Sequence, residues 1–269
     1  MRASALQENS DLKKIVADNF GQKARDYIKY AKVQRKAAEY LVSMIDDILP
    51  ELEGPYLELG AGTGFVTQQL VEKLPPGNFA ITDISDEMLA ICREVLTIPD
   101  SIKAEYLIKD AEEPLPESTY GLIATAMTAQ WFDDLKSTFQ GYLNALKPNG
   151  LLVYSYLDEQ CFPEWKALCA ESGIPFTGNT LPSSAPLSID TSKFCWEYAS
   201  NEMMSETFES PAEFFRNLKR IGAGTQRNGN KNSIGAVLAL NEHWLRKGQD
   251  HFTITYGISF GAIRRKRCE

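Results

Sequence analysis

Histidine is scarce in this chain of 269 residues, which has two, His243 and His251. Its five cysteines, at positions 92, 161, 169, 195 and 268, include no CxxC pair. Together these shortages argue against a zinc site or a disulfide framework, and they predict reduced, mostly buried thiols. Cys268 stands second from the end, so no prenylation box is expected. Basic side chains are outnumbered, 28 against 36 acidic, and the net charge is -8. A nucleic-acid binder normally needs the opposite balance. No apolar run approaches the length that spans a bilayer, and Glu8 and Asp11 interrupt the stretch a signal peptide would need. The sequence therefore predicts a cytoplasmic protein with no membrane or nucleic-acid partner. What is present is ordinary globular composition: 43% hydrophobic residues and 18 glycines. At this length one large α/β domain, or two small ones, can bury a core.

Apolar positions Val33, Ala37, Leu41, Met44, Ile45 and Ile48 recur at helical spacing until Pro50. Strands and amphipathic stretches then alternate. PYLEL, NFAITD, a short run from Glu105 to Ile108, YGLIATAM and GLLVYSY read as strands, the last following the turn Lys147 to Gly150. Helices are predicted over Gly64 to Leu74, Asp86 to Leu96 and Leu135 to Leu146. Such alternation predicts a mostly parallel sheet with helices on both faces, and a ligand at the carboxyl ends of the strands. Beyond Tyr156 it loosens, with a helix near Pro163 to Glu171, a loop from Gly173 to Ser188 and a strand near Glu197 to Phe208. Helices over Pro211 to Ile221 and Gly235 to Arg246 flank the polar loop GAGTQRNGNKNSIG, and HFTITYGISFGAI reads as a final strand. We divide this single domain into N-terminal helices (1–50), a core (51–156), a cover with one core strand (157–250) and a closing strand with a basic tail (251–269).

Chemistry concentrates at three strand ends. Glu58, Leu59, Gly60, Ala61, Gly62, Thr63 and Gly64 follow the first strand and precede a helix. Glycines there permit a tight turn and close backbone approach, and helix-start amides favour a polar or anionic group. Dinucleotide oxidoreductases use a similar turn. Asp83 closes the second strand, where an acceptor can take both hydroxyls of a ribose; alternatively it caps the next helix, a role Ser85 can fill instead. Asp110 follows the third strand, where a carboxylate can accept from an adenine amine while the Ala111 amide donates to the ring.

ELGAGTG, TDIS and KDAEEPLP, in that order, resemble the first three motifs of the class I S-adenosylmethionine-dependent methyltransferases. The resemblance implies a Rossmann-like fold with a mostly parallel seven-stranded sheet, S-adenosylmethionine as donor and S-adenosylhomocysteine as product. It also implies cofactor contacts from Gly60, Gly62, Asp83, Asp110 and Ala111, with Glu58 ordering the turn. Ala61, Ile84, Met88 and Ala126 are further cofactor candidates at these strand ends, and Tyr27 and Gln34, seven apart on one helical face, can point together toward the cofactor or the acceptor. The dinucleotide pattern G-x-G-x-x-G fits less well, because the third glycine, Gly64, arrives one position early.

The fourth strand ends in Ala124, Thr125, Ala126, Met127 and Thr128, without the Asn/Asp-Pro-Pro-Tyr segment of amino-directed nucleic-acid methyltransferases. No Pro-Cys or Thr-Cys dipeptide offers the nucleophile of cytosine-C5 enzymes. Nor is there a cluster of histidine with carboxylates for metal-assisted or base-assisted hydroxyl methylation. A carboxylate acceptor needs none of these: with a pKa of about 4 it is ionised at neutral pH.

FGQKARDYIKYAKVQR, from Phe20 to Arg35, is similar to the N-terminal lid helix of the malonyl-acyl-carrier-protein O-methyltransferases of biotin synthesis. Gln130-Trp131, Leu218 to Ala223 and Phe260-Gly261-Ala262 extend the likeness to Lys266. It implies methyl transfer to the free carboxyl of malonyl-carrier protein, or of malonyl-coenzyme A, under an N-terminal lid and a C-terminal helical insert. Gln130-Trp131 is shared with enzymes resembling trans-aconitate methyltransferase, so a free small carboxylic acid is an alternative acceptor. A non-catalytic assembly protein that retains the fold is another. Basic residues gather at 23–36, at 216–220 and at 264–267, where an acidic carrier protein would be steered. Candidates for positioning the acceptor are Tyr27, Gln130, Trp131, Lys219 and Arg220; no residue is assigned as acid or base, and no metal ligand is expected. The sequence leaves the oligomeric state open.

Overall fold

The computed structural model describes residues 2–226 and 233–267; Cys268 and part of the polar loop, 227–232, lie outside the described residues. The chain runs α1 (Arg2–Gly21), α2 (Ala24–Tyr30), α3 (Lys32–Ser43), β1 (Tyr56–Leu59), α4 (Phe65–Val71), β2 (Gly77–Asp83), α5 (Asp86–Val95), β3 (Ile102–Ile108), β4 (Tyr120–Ala126) and α6 (Leu135–Ala145). β5 (Leu146–Leu157), α7 (Pro163–Ser172), β6 (Phe194–Phe208), α8 (Pro211–Arg220), α9 (Ile234–Arg246) and β7 (Phe252–Arg265) complete it.

The seven strands form one sheet in the order β3-β2-β1-β4-β5-β7-β6. β1 to β5 pair in parallel, and β7 inserts antiparallel between β5 and β6. Chain order therefore reverses between β1 and β4, and at such a switch point the diverging loops leave a crevice. All four residues of β1 are buried, the mark of a central strand covered on both faces.

The sheet's faces are filled by two clusters. One packs Leu41, Ile45, Tyr56, Leu70, Phe79 and Leu122 under α3 and α4, and continues through Phe214 and Phe260 to the cover. The other packs Leu57, Ile123, Phe139, Tyr142, Tyr154 and Tyr156 against α6. Among the described residues Cys92, Cys161 and Cys169 are buried free thiols, and Cys195 is half-buried.

Four elements differ from the sequence reading. The stretch before Phe20 is helical, as α1. The expected lid helix is broken after Gly21 and again at Ala31, whose ψ of 60° leaves the helical basin. The helix predicted to reach Pro50 ends at Ser43 and gives way to a short 3-10 turn at Leu49–Glu51. β5 already begins at Leu146 and carries the predicted turn residues as an irregularity, with Asn149 at φ +69°.

Candidate active site

The turn after β1 is built for close approach. Gly60, Gly62 and Gly64 have φ of +74°, +56° and +91°, values that side chains resist. A Cβ on Gly60 would strike Thr128, whereas one on Gly62 would meet nothing within 4 Å and would project into the crevice. Asp83 comes to the same rim from the end of β2, 9% exposed. Its Oδ2 accepts the Gly62 amide (2.8 Å) and its Oδ1 the Ser85 amide (2.9 Å). Burial pushes its pKa up, while the amides of Ser85, Gly62 and Ile84 work against that shift. Ser85 itself caps α5 by accepting from the Met88 amide, so Asp83 is not the cap.

Glu58, 2% exposed, accepts the Thr67 hydroxyl at 2.6 Å. Desolvation lifts its pKa to about 7, against the Thr67 hydrogen bond, and the charge of Asp83 adds to the rise. Asp110 accepts the Glu112 amide on one oxygen and the Lys13 ammonium on the other. The Ala111 carbonyl accepts the Tyr142 hydroxyl (2.7 Å), which fixes this loop against α6.

These residues line one cavity of about 1090 Å³, counted with its open mouth. Tyr27, Gln34, Ile84, Met88, Ala126 and Trp131 line it too, so the structure brings every predicted cofactor contact to one place. A second cavity, about 830 Å³ on the same basis, lies under α7, α8 and the loops at 178–181 and 223–226. Phe20, Tyr27, Gln34, Met127 and Trp131 line both. Aromatic contacts hold this common wall: Phe20 meets Tyr27 and Trp131 edge-on, at 6.0 and 5.8 Å, and Tyr27 stacks on Phe65 at 5.7 Å. The Tyr27 phenol is raised above its ordinary pKa by desolvation and then by Asp83, so it stays protonated at neutral pH.

Three acceptor candidates sit differently from what their residue types suggested. Gln130 lines the second cavity, but its amide is engaged at both ends, by the Met127 carbonyl and the Leu157 amide. Lys219 and Arg220 are exposed on α8 and line neither cavity. Their neighbour Leu218 does line the second. Sequence reasoning missed Lys13, Glu112 and Met127. Lys13 and Glu112 look like surface charge in a linear reading; Met127, at the exit of β4, has φ +53°, which no residue type announces.

Taken together, the switch-point crevice, the glycine turn and the acids at successive strand ends define a methyltransferase. The chain matches the methyltransferase domain family over residues 57–154. It is 32% identical to the malonyl-[acyl-carrier protein] O-methyltransferase of Magnetococcus marinus, across 93% of this chain and 92% of that one. It is 28% identical to the Neorickettsia risticii protein of the same name, across 93% and 96%. Against the biotin biosynthesis bifunctional protein of Bordetella avium it is 30% identical, across 94% of this chain and 52% of that longer one. A Bacillus halodurans protein described only provisionally as a methyltransferase shares the fold, with a TM-score of 0.54 at 13% identity over 85% of this chain and 99% of that one. The chain belongs to the malonyl-[acyl-carrier protein] O-methyltransferase family.

The donor, S-adenosylmethionine, suits the first cavity. A carboxylate offers about four acceptor sites, and Gly62 and Ser85 do not use all of those on Asp83, so a sugar hydroxyl has a partner there. The open face of Gly62 leaves room for a chain passing over the turn.

Proposed function

We propose that this protein transfers a methyl group from S-adenosylmethionine to the free carboxylate of a malonyl group carried by acyl-carrier protein, giving the methyl ester. The observation that carries this reading is the pair of cavities that share one aromatic wall. When bound in the first, S-adenosylmethionine supplies a sulfonium-borne methyl group that leaves for an oxygen anion while sulfur keeps the bonding pair. Asp83, Asp110 and the glycine turn hold the donor. Tyr27, Phe20 and Trp131 exclude water between the two sites, which strengthens every electrostatic interaction inside.

Among the described residues no histidine, carboxylate or lysine lines the second cavity, and no group of metal-binding side chains occurs. A carboxylate acceptor suits such a site because it arrives already deprotonated. Alignment then does the work, and in general it can supply on the order of 7 to 11 kcal/mol.

A carrier-borne substrate is supported by the outer surface. The Arg220 guanidinium and the Lys29 ammonium each lie 5.0 Å from the centre of the Tyr30 ring, so the basic residues of α2 and α8 meet around one side chain. Lys23 immediately precedes α2, and Arg216 and Lys219 are on α8. This field lies beside Leu218 and Ala223 at the second cavity, where an acidic carrier would dock with its arm directed inward. The C-terminal cluster is used otherwise: Arg264 pairs with Glu197, and Arg265 donates to the Leu146 carbonyl and the Ser118 hydroxyl. The division into lid (1–50), core (51–156), cover (157–250) and closing strand (251–269) fits this use. Unpaired thiols fit a reducing, cytoplasmic compartment, and no helix among the described residues is long and apolar enough to cross a membrane. The test is label transfer from S-adenosylmethionine to malonyl-carrier protein, to malonyl-coenzyme A and to free dicarboxylic acids. Transfer to the free acids alone would refute the carrier reading.

A further inference from the structure

α1 roofs the first cavity. Leu12, Lys13, Val16 and Ala17 line it, on one face at helical spacing, and Lys13 is the charged member. Its ammonium lies 2.7 Å from Asp110 Oδ2, 2.7 Å from Glu112 Oε2 and 3.8 Å from Asp133 Oδ2. Those carboxylates belong to the two loops that leave β3 and β4. Glu112 also accepts the amides of Asp133 (2.9 Å) and Asp134 (3.0 Å), so it staples one loop to the other. Three carboxylates around one point repel one another, and Lys13 offsets that repulsion. The Lys13 side chain is 24% exposed and that of Glu112 11%, so water screens the group incompletely. Burial opposes the ammonium charge, but the hydrogen bonds to Asp110 and Glu112 outweigh it and hold the group protonated.

The C-terminal end of α1 is fixed to the acceptor side. Asn19 Nδ2 donates to Thr225 Oγ1 at 2.8 Å, and Thr225 lines the second cavity. Gly222, at φ +76°, lets the cover pack against Asn19 and Phe20: a Cβ there would stand 2.8 Å from the Phe20 Cα. α1 is thus attached at its middle and near its C-terminal end, and its cavity-side attachment is ionic.

We propose that Lys13 is a positioning residue for the methyl donor: by gathering Asp110 and Glu112 it sets the rim expected to receive the adenine and keeps α1 closed over the bound nucleoside. It acts through Asp110 and through the roof, and it does not touch the reacting atoms. This inference rests on reading the first cavity as the S-adenosylmethionine site. Two consequences follow from the geometry. Removing the ammonium leaves mutually repelling carboxylates at the rim, so the nucleoside binds more weakly and escapes faster. Salt screens the ammonium's attraction in the native chain, and in a chain that lacks the ammonium it screens the repulsion left among the carboxylates, so the two chains converge at high salt.

The test uses the full chain with S-adenosylmethionine and S-adenosylhomocysteine, measuring Kd by calorimetry, dissociation by stopped flow, and kcat at saturating donor. In Lys13→Gln and Lys13→Met, Kd should rise roughly five- to twentyfold, mostly in the dissociation rate, with kcat within about twofold. Lys13→Arg, which keeps the charge, should stay within about threefold of the native value. Raising salt from about 50 to about 500 mM should narrow the difference in Kd between the native chain and the glutamine variant. Native binding with an unchanged Kd in both neutral variants overturns this role alone. Failure of the native chain to bind either nucleoside overturns the cofactor reading with it. A collapse of the nucleoside-free melting temperature in both neutral variants would make Lys13 a folding residue and also overturn the proposal.

Discussion

Glu58→Gln isolates the cost of a carboxylate at the centre of the sheet. Glu58 is buried on β1, and its carboxylate accepts the Thr67 hydroxyl. Burial raises its pKa from the ordinary 4.5 to about 7, opposed by Thr67 and increased by Asp83. Because the folded value lies above the unfolded one, between these two pH values the folded chain holds a proton that the unfolded chain has released. This group's contribution to stability is therefore fullest below about pH 4.5 and is lost as pH rises through 7. A shift of that size corresponds to about 3 kcal/mol as an upper scale, and relaxation of the turn reduces it to about 1 to 3. Glutamine does not titrate, and its carbonyl oxygen still accepts from Thr67. The stability of Glu58→Gln relative to the native chain should thus climb by about 1 to 3 kcal/mol between roughly pH 5 and pH 8. Urea denaturation of the nucleoside-free proteins at four pH values in that range measures it. Parallel stability curves would show that Glu58 is not held protonated by burial. The same titration bears on ligand binding, since Glu58 lines the first cavity. Binding of the cationic donor should tighten with pH in the native chain, more than binding of the uncharged thioether product, and this difference should vanish in the glutamine variant.

Asp83→Ala should weaken S-adenosylmethionine binding by about 1 to 3 kcal/mol through loss of a charged acceptor, as read by calorimetry; an unchanged Kd would place the ribose elsewhere. Reversing charge at Lys219 and Arg220 together should raise KM for malonyl-carrier protein about tenfold at low salt and leave the coenzyme A thioester unaffected, because the effect lies in carrier docking. Equal losses for both thioesters would move those residues from docking to the acceptor itself. Phe214→Ala should cost about 3 to 5 kcal/mol in urea denaturation, since this fully buried ring meets Phe162, Trp165, Phe208, Phe215 and Phe252. A loss below 1 kcal/mol would mean that the cover packs loosely on the sheet.

The core was legible because each of its elements carries its own signal. Strands of continuous apolar residues alternate with amphipathic helices, and glycines or turn residues mark the joints. Gly60, Gly62, Asp83 and Asp110 could be placed at one rim before any coordinates, since parallel connectivity brings successive strand ends together. What escaped depends on partners distant in the chain. In α1, Leu12, Val16 and Phe20 form a narrow apolar stripe among polar residues, enough to roof a polar ligand but too thin to stand out as a buried helix. Gln130 carried the right chemistry for an acceptor contact, yet nearby backbone groups at Met127 and Leu157 occupy its amide. The basic residues around 23–36 and those on α8 are separate clusters in the sequence, and only the packing of α2 on α8 puts Lys29 and Arg220 against the same ring.

The placement of polar groups explains why so few are needed where transfer takes place. Carboxylates crowd the donor side, at Glu58, Asp83, Asp110 and Glu112, and the acceptor side has none among its described lining residues. A donor that carries positive charge gains from the first environment; a negatively charged acceptor would be repelled by it and is better received by the second. Between them stands an aromatic wall whose members touch one another, with Gln34 as a neutral amide open to both cavities. Opposite charges held on either side of that wall approach in a medium that screens them poorly, and they neutralise each other as the methyl group moves. A general base would add nothing to such a reaction. A buried basic residue beside the acceptor would even oppose it, because its pairing with the carboxylate would have to be disrupted as that charge disappears. The same sequence economy that leaves two histidines in the chain is therefore consistent with the chemistry the site performs.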